Sequence, residues 1–400
     1  MRSTKKYLIP AGAAALALAL AGCAPSAETG GGSSGDGEGA APVAVSLITS
    51  ETGPLAAYGE QFIGGFNAGW DYVTDGTGEI DGREVNITIS DDGGDPDKAV
   101  SVIKDEIGKG TKIFTGTVVS GIALALAEQA ANNDVLYISG AAATDAVTGI
   151  NDNTFRSGRQ TAQDVATAGT FLGDPSGKKI LVFAQDNAFG QSNVAGVEAV
   201  LGAKGAEVSG VLVPEDVTEF TPFAQQIVQS GADLVFVAWA GANTATMWGA
   251  LVQQGVFDAI PVVTGLADVA TYNAYGEASG QISFLNHYFA GATENAENQA
   301  MIEYLESNGK VADIFSPDGF NAALMVAEAI RSGGDEVSGM IEALEGFSFD
   351  GPKGKMTVRA SDHALLQDMF QVRLVQDGDN WVPELVDVAA ADEVAPAETE

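Results

Sequence analysis

The stretch that decides the fold reads VNITISDDGGDPDKAVSVIKDEIGKG, residues 85–110. Val85, Ile87 and Ile89 alternate with polar residues, the two-residue period of a half-buried strand. Asp91 to Pro96 makes the turn. Asp95 offers an N-cap acceptor there, and Pro96 stands where a missing N–H costs nothing. Ala99, Ile103 and Ile107 then form one apolar helical stripe, which Gly108 and Gly110 end. A strand followed at once by an amphipathic helix is the repeating unit of α/β proteins.

The unit recurs on both sides. Upstream, Val43 to Thr49 is a near-continuous β run, followed by Gly53-Pro54 and a helix starting near Gly59. Downstream, Ile113-Phe114 is a short strand, Ser120 opens an Ala/Leu helix to Ala131, and Val135 to Ile138 is the next strand. After an irregular stretch the rhythm restarts near Thr161. Strands at Ile180 to Ala184, Val208 to Val213, Leu234 to Trp239 and Ile260 to Val263 alternate with helices at Phe189 to Leu201, Phe220 to Ser230 and Thr244 to Gln254. Beyond Ile282 to Phe289 comes a helix at Phe320 to Ser332, then β structure at Met356 to Arg359 and Met369 to Val375. Two successive series predict an α/β protein of two lobes with parallel sheets; one large doubly wound domain is the alternative.

The N-terminal residues carry a different signal. Arg2, Lys5 and Lys6 form a basic patch, and Leu8 to Leu20 is an Ala/Leu run too short to span a bilayer as a mature helix. Leu20-Ala21-Gly22-Cys23 resembles the bacterial lipobox, which implies a signal peptide over residues 1–22 and a lipid on the Cys23 sulfur. An ordinary signal peptide or a plain N-terminal helix is the alternative. Cys23 is the single cysteine of 400 residues, so an internal disulfide and a cysteine-based metal cluster are excluded. Residues 23–42, rich in Gly, Ser, Ala and Glu, are expected to be a flexible tether, and residues 389–400 a disordered acidic tail.

The formal charge of −35 excludes nucleic-acid binding, which needs clustered Lys and Arg, and favours a soluble monomer. The two histidines, His287 and His363, stand in no zinc or triad motif, and no phosphate-loop sequence is present. Neither catalysis, metal nor cofactor is expected. What recurs instead is a strand ending in small or hydroxyl residues where a helix begins. Ser120 with Gly121, and Ala142-Ala143-Thr144, are the clearest cases. Ligands of open α/β sheets sit outside the carboxyl ends of strands, where helix N-termini offer free N–H groups to a carboxylate. Plain N-capping is the alternative for each residue taken singly.

Five motifs in order then become distinctive. They are Thr52-Gly53-Pro54-Leu55 with Tyr58-Gly59, the Asp91 to Pro96 turn, Ile138-Ser139, Phe155-Arg156, and Asp186-Asn187-Ala188-Phe189-Gly190. From Val43 to Val386 the chain resembles the leucine/isoleucine/valine-binding protein family, the type I solute-binding proteins of ABC importers. That resemblance implies two Rossmann-like lobes joined by a three-segment hinge, with residues 43–158 and 290–368 in lobe 1 and residues 159–289 and 369–388 in lobe 2. It also implies a small-molecule ligand between the lobes, an ABC permease as partner, and a lipid-anchored location on the extracytoplasmic face of a membrane. An extracellular sensor built on the same pocket is the alternative.

Carried over residue by residue, the resemblance implies a ligand beside Tyr58, its carboxylate on Ser120 and Gly121, and further contacts from Ala142 and Ala143. Ala143 replaces a family threonine, for which Thr144 is a substitute one position on. Phe189 and Trp239 take the places of lobe-2 tyrosines. The family's acid for a ligand ammonium is here Leu266, with Asp268 two residues further. Arg159 at the first crossover is a candidate for a carboxylate or for an interlobe salt bridge. Asp318 and His287-Tyr288 are further pocket candidates.

Overall fold

A computed structural model describes residues 41–241 and 243–399. The expected signal peptide, Cys23 and nearly all of the expected tether lie outside the described residues. The chain opens with β1 (Val43–Thr49), α1 (Ala56–Thr74), β2 (Glu79–Ile80), β3 (Arg83–Asp91), α2 (Pro96–Gly108), β4 (Ile113–Gly116), α3 (Ser120–Asn133), β5 (Leu136–Ser139) and β6 (Thr154–Arg156). These strands form one sheet in the order β2-β3-β1-β4-β5-β6, parallel except for the short β2 at the edge. Asp95 caps α2 by accepting from the Asp97 N–H, with Pro96 in the first turn, as the opening stretch predicts.

The chain then crosses at residues 157–160 into a second series. It comprises α4 (Thr161–Leu172), β7 (Lys179–Gln185), α5 (Ala188–Val200), β8 (Glu207–Val213), α6 (Thr221–Gln229), β9 (Leu234–Ala238), α7 (Thr244–Gln253), α8 (Val256–Ala259), β10 (Val262–Gly265) and β11 (Ile282–Asn286). It crosses back through His287-Tyr288 to α9 (Ala296–Ser307), α10 (Ser316–Gly333), α11 (Val337–Leu344) and a small sheet of β12 (Ser348–Gly351), β13 (Gly354–Val358) and β14 (Leu365–Leu366). A last crossing leads to β15 (Met369–Asp377) and β16 (Asn380–Ala389), which extend the second sheet to β16-β15-β11-β10-β9-β7-β8. β15 runs antiparallel against the free edge of β11, and β16 turns back to pair antiparallel with β15. The protein is therefore α/β, with two mainly parallel sheets in two lobes joined by three segments.

Helices α9 and α10 pack on α1 and share one apolar core with the first sheet. Glycine sets how close α1 and α10 lie. A Cβ at Gly65 would fall 1.8 Å from the Ser316 carbonyl oxygen, and one at Gly319 would fall 2.0 Å from that of Phe62. Helix α10 starts four residues ahead of the expected Phe320, since Pro317 is favoured in a first turn.

The C-terminal residues are anchored at two points: between 390 and 399 Val394 and Pro396 are buried while most of the others are exposed. Val394 is buried against Met369 and Ala389. Arg359, paired with Asp362 at 2.6 Å, donates to the Pro396 carbonyl at 2.7 Å, and the Thr399 N–H donates to Asp362. The acidic composition conceals one apolar anchor and a distant arginine that takes up the backbone carbonyls.

Candidate functional site

The carboxyl ends of β1, β3 and β4 meet at Asp92, which accepts from Ser50 Oγ at 2.6 Å, Thr117 Oγ1 at 2.5 Å and the Gly94 N–H at 2.8 Å. The neighbouring Asp91 accepts from the Glu51 and Thr52 N–H groups and from Lys98 Nζ. This fixes the loop that carries Pro54 and Leu55 to the cleft. Opposite, a Cβ at Gly241 of the second lobe would lie 3.6 Å from Leu55 Cδ2, so the lips of the two lobes meet there. Behind them lies a cavity of about 380 Å³.

Seven of the eleven expected ligand residues line this cavity: Tyr58, Ser120, Gly121, Ala143, Arg159, Phe189 and Trp239. Ser120 is the first residue of α3, and the N-cap residue before it, Val119, has no side chain to cap the helix. The opening N–H groups of α3 therefore face the cavity without a side-chain acceptor from the cap. Trp239 is held in place by Nε1 donating to Asn243 Oδ1 at 2.9 Å and by stacking on Phe183 at 5.3 Å. Leu266 and His287 also line the cavity.

Four expected residues lie elsewhere. The Ala142 and Thr144 carbonyls accept from the buried Arg156 guanidinium at 2.6 and 2.8 Å, which turns this strip into the wall of the crossover. The Thr144 hydroxyl accepts from the Ala146 N–H. Asp268 is not part of the cavity lining; it caps the next turn by accepting from the N–H and hydroxyl of Thr271 at 2.9 and 2.7 Å. Asp318 is buried behind the crossover, with neither oxygen hydrogen-bonded. Tyr288, the companion of His287, donates to Asn298 inside the lobe-1 core.

Arg159 lines the cavity and also joins the lobes. Its Nε lies 3.3 Å from Asp164 Oδ2 of α4, and its Nη1 donates to the Ala141 carbonyl at 3.0 Å. The expected interlobe salt bridge is not what forms: Asp164 belongs to the same lobe as Arg159, and the contact that crosses to lobe 1 is the hydrogen bond to Ala141. Asp164 is in turn a lining residue that the sequence reading missed, as are Phe315, Gln185 and Asn193. Phe315 precedes a helix by one residue and belongs to no strand end, so no periodicity marks it. Burial raises the Asp164 carboxyl above its ordinary range, against the lowering influence of Arg159.

The comparisons with known proteins bear on this geometry. A family model described as periplasmic binding protein matches residues 42–379. The Leu/Ile/Val-binding protein BraC3 of Rhizobium johnstonii is 25% identical over 303 residues, covering 74% of this chain and 80% of that protein. A solved ABC-type branched-chain amino acid transporter protein of Rhodopseudomonas palustris is 30% identical, with a TM-score of 0.74, covering 88% of this chain and 97% of that one. A solute-binding protein of R. palustris, solved with 4-hydroxybenzoate, shares 19% identity and a TM-score of 0.79 over 87% of this chain and 97% of that one, a likeness of fold.

Proposed function

The chain belongs to the periplasmic binding protein family, and from that premise we propose that it is the solute-binding lipoprotein of an ABC importer. It captures a small organic carboxylate between its lobes and presents it to a permease. The observation that carries this reading is the interlobe cavity of about 380 Å³ into which the uncapped start of α3 opens with Ser120 and Gly121. Free helix N–H groups and a hydroxyl suit a carboxylate, and Phe189, Trp239 and Phe315 suit an apolar or aromatic body. Cys23 supports a lipid anchor, and the extracytoplasmic location follows from it. No described helix is long and apolar enough to cross a membrane.

The departure at Leu266 favours ligands other than α-amino acids. Leu266 is buried at 2% exposure on the cavity wall, and an ammonium placed against it has no partner there. Calorimetry against a panel of amino acids, aliphatic acids and aromatic acids tests the reading. A carboxylate should bind, and Ser120→Ala should weaken it by about tenfold to a hundredfold, the loss expected for one hydrogen bond to a charged group. Unchanged affinity in Ser120→Ala would retire the site assignment. Metabolic labelling with palmitate should mark the wild type and spare Cys23→Ser.

A further inference from the structure

Three polar groups gather on one ring at the back of the cavity. Phe315 has Tyr58 edge-on at 4.7 Å between centroids, His287 at 5.2 Å, and the Arg159 guanidinium carbon at 5.6 Å from its centroid. All four residues line the cavity. Among the described residues, the Arg159 guanidinium makes a single hydrogen bond, to Ala141, beside its salt bridge to Asp164. His287 is buried, and its Nε2 has no hydrogen-bond partner. An unsatisfied polar atom at that depth is costly unless something supplies a partner.

The chemistry of the trio selects the partner. A neutral imidazole holds one donor and one acceptor, the guanidinium only donates, and a phenol does both. Burial lowers the His287 pKa well below its ordinary value, and the positive charges of Arg159 and Lys353 lower it further, so the ring is neutral. An ammonium has only donors and so offers nothing to the guanidinium. A second carboxylate has no proton to give. A hydroxyl both accepts from the guanidinium and satisfies the imidazole in either tautomer.

Resting on the carboxylate reading of the pocket, we infer that the ligand is a hydroxylated carboxylic acid whose hydroxyl is read by His287 and Arg159 beside Phe315. Two matched trios test this by calorimetry at neutral pH. One is 4-methylpentanoate, 2-hydroxy-4-methylpentanoate and leucine; the other is benzoate, 4-hydroxybenzoate and 4-(aminomethyl)benzoate. In the frame that fits, the hydroxyl member should bind at least about tenfold tighter than the member with hydrogen, the effect of one or two buried hydrogen bonds. The ammonium member should bind more weakly than either. His287→Phe should bring the hydroxyl-to-hydrogen ratio close to one, while His287→Gln, which keeps a donor and an acceptor, should restore most of it. A tightest ammonium member, equal binding within a trio, or an intact ratio in His287→Phe overturns this inference and leaves the carboxylate pocket standing. Failure of every member to bind overturns both.

Discussion

Asp318 shows what burial does to a single side chain. It sits in the first turn of α10, fully buried, with neither oxygen hydrogen-bonded. Burial pushes its carboxyl up to about 7, against the lowering pull of Arg159, Lys353 and Arg156. In the unfolded chain it titrates near its ordinary value of about 3.9. Between these values the native state holds a proton that the unfolded state has released. The contribution to stability is therefore full below about pH 4 and is lost as pH rises through 7. Asp318→Asn mimics the protonated form at every pH. Its stability relative to wild type, from urea unfolding at a series of pH values, should climb in its favour from pH 4 to 7. A difference that is flat with pH would falsify the assignment. Residues of this kind also mark how far the sequence was legible. Ser120 and Tyr58 stand in short local motifs and proved to line the cavity. Asp268 and Asp318 were drawn in by nearness along the chain, and side-chain direction, which one cap or one buried turn decides, is not written in that nearness.

Elements were more legible than residues, and the reason is periodicity. The stripe of Ala99, Ile103 and Ile107 predicts α2, and the α2 side chains buried in the structure include Ala99 and Ile103. The antiparallel β15 and β16, and the anchored residues after them, were less legible, since they depend on which sheet edge is free and on where Arg359 lies. Close packing of α1 on α10 was equally hidden, because a glycine in a helix reads as a weakness until its neighbour is known. Gly65→Ala makes this measurable. Its Cβ would fall 1.8 Å from a backbone oxygen of α10, which has no rotamer to change. We expect a loss of about 1–3 kcal/mol in denaturant unfolding, or more if the helices cannot separate. Gly249 in α7 is the counterpart, with open space around its Cβ position. Gly249→Ala should gain about 0.5–1 kcal/mol. If both variants melt like wild type, helix approach is not limited by glycine.

At the scale of the whole molecule, one carboxylate bridges the lobes next to the cavity. Asp313 precedes α10 in lobe 1, yet it accepts from the Val269 N–H of lobe 2 at 3.1 Å, as well as from the Ile314 N–H at 2.8 Å and Gln61 Nε2 at 3.2 Å. Burial pushes its carboxyl up to about 7, the Ile314 and Val269 backbone donors hold it down, and the neighbouring Asp268 raises it. Opening the cleft breaks the Val269 contact and returns Asp313 to water, where its ordinary lower pKa holds. Closure therefore takes up a proton between about pH 4 and 7, so acid favours the closed form and the effect is lost as pH rises through 7. On the proposed reading, in which closure holds the ligand between the lobes, its affinity follows. With a carboxylate ligand that stays ionised throughout, calorimetry from pH 5.5 to 8 should show Kd rising with pH and levelling off above 7. One linked proton limits the slope to about tenfold per pH unit. Asp313→Asn should flatten the profile without touching the ligand, and scattering at pH 6 should show whether its closed population changes with it. A wild-type profile already flat across this range would detach Asp313 from closure and leave it a lobe-1 loop contact. A pH slope that survives in Asp313→Asn would move the linked proton to another group of the hinge, with Asp318 the first to examine.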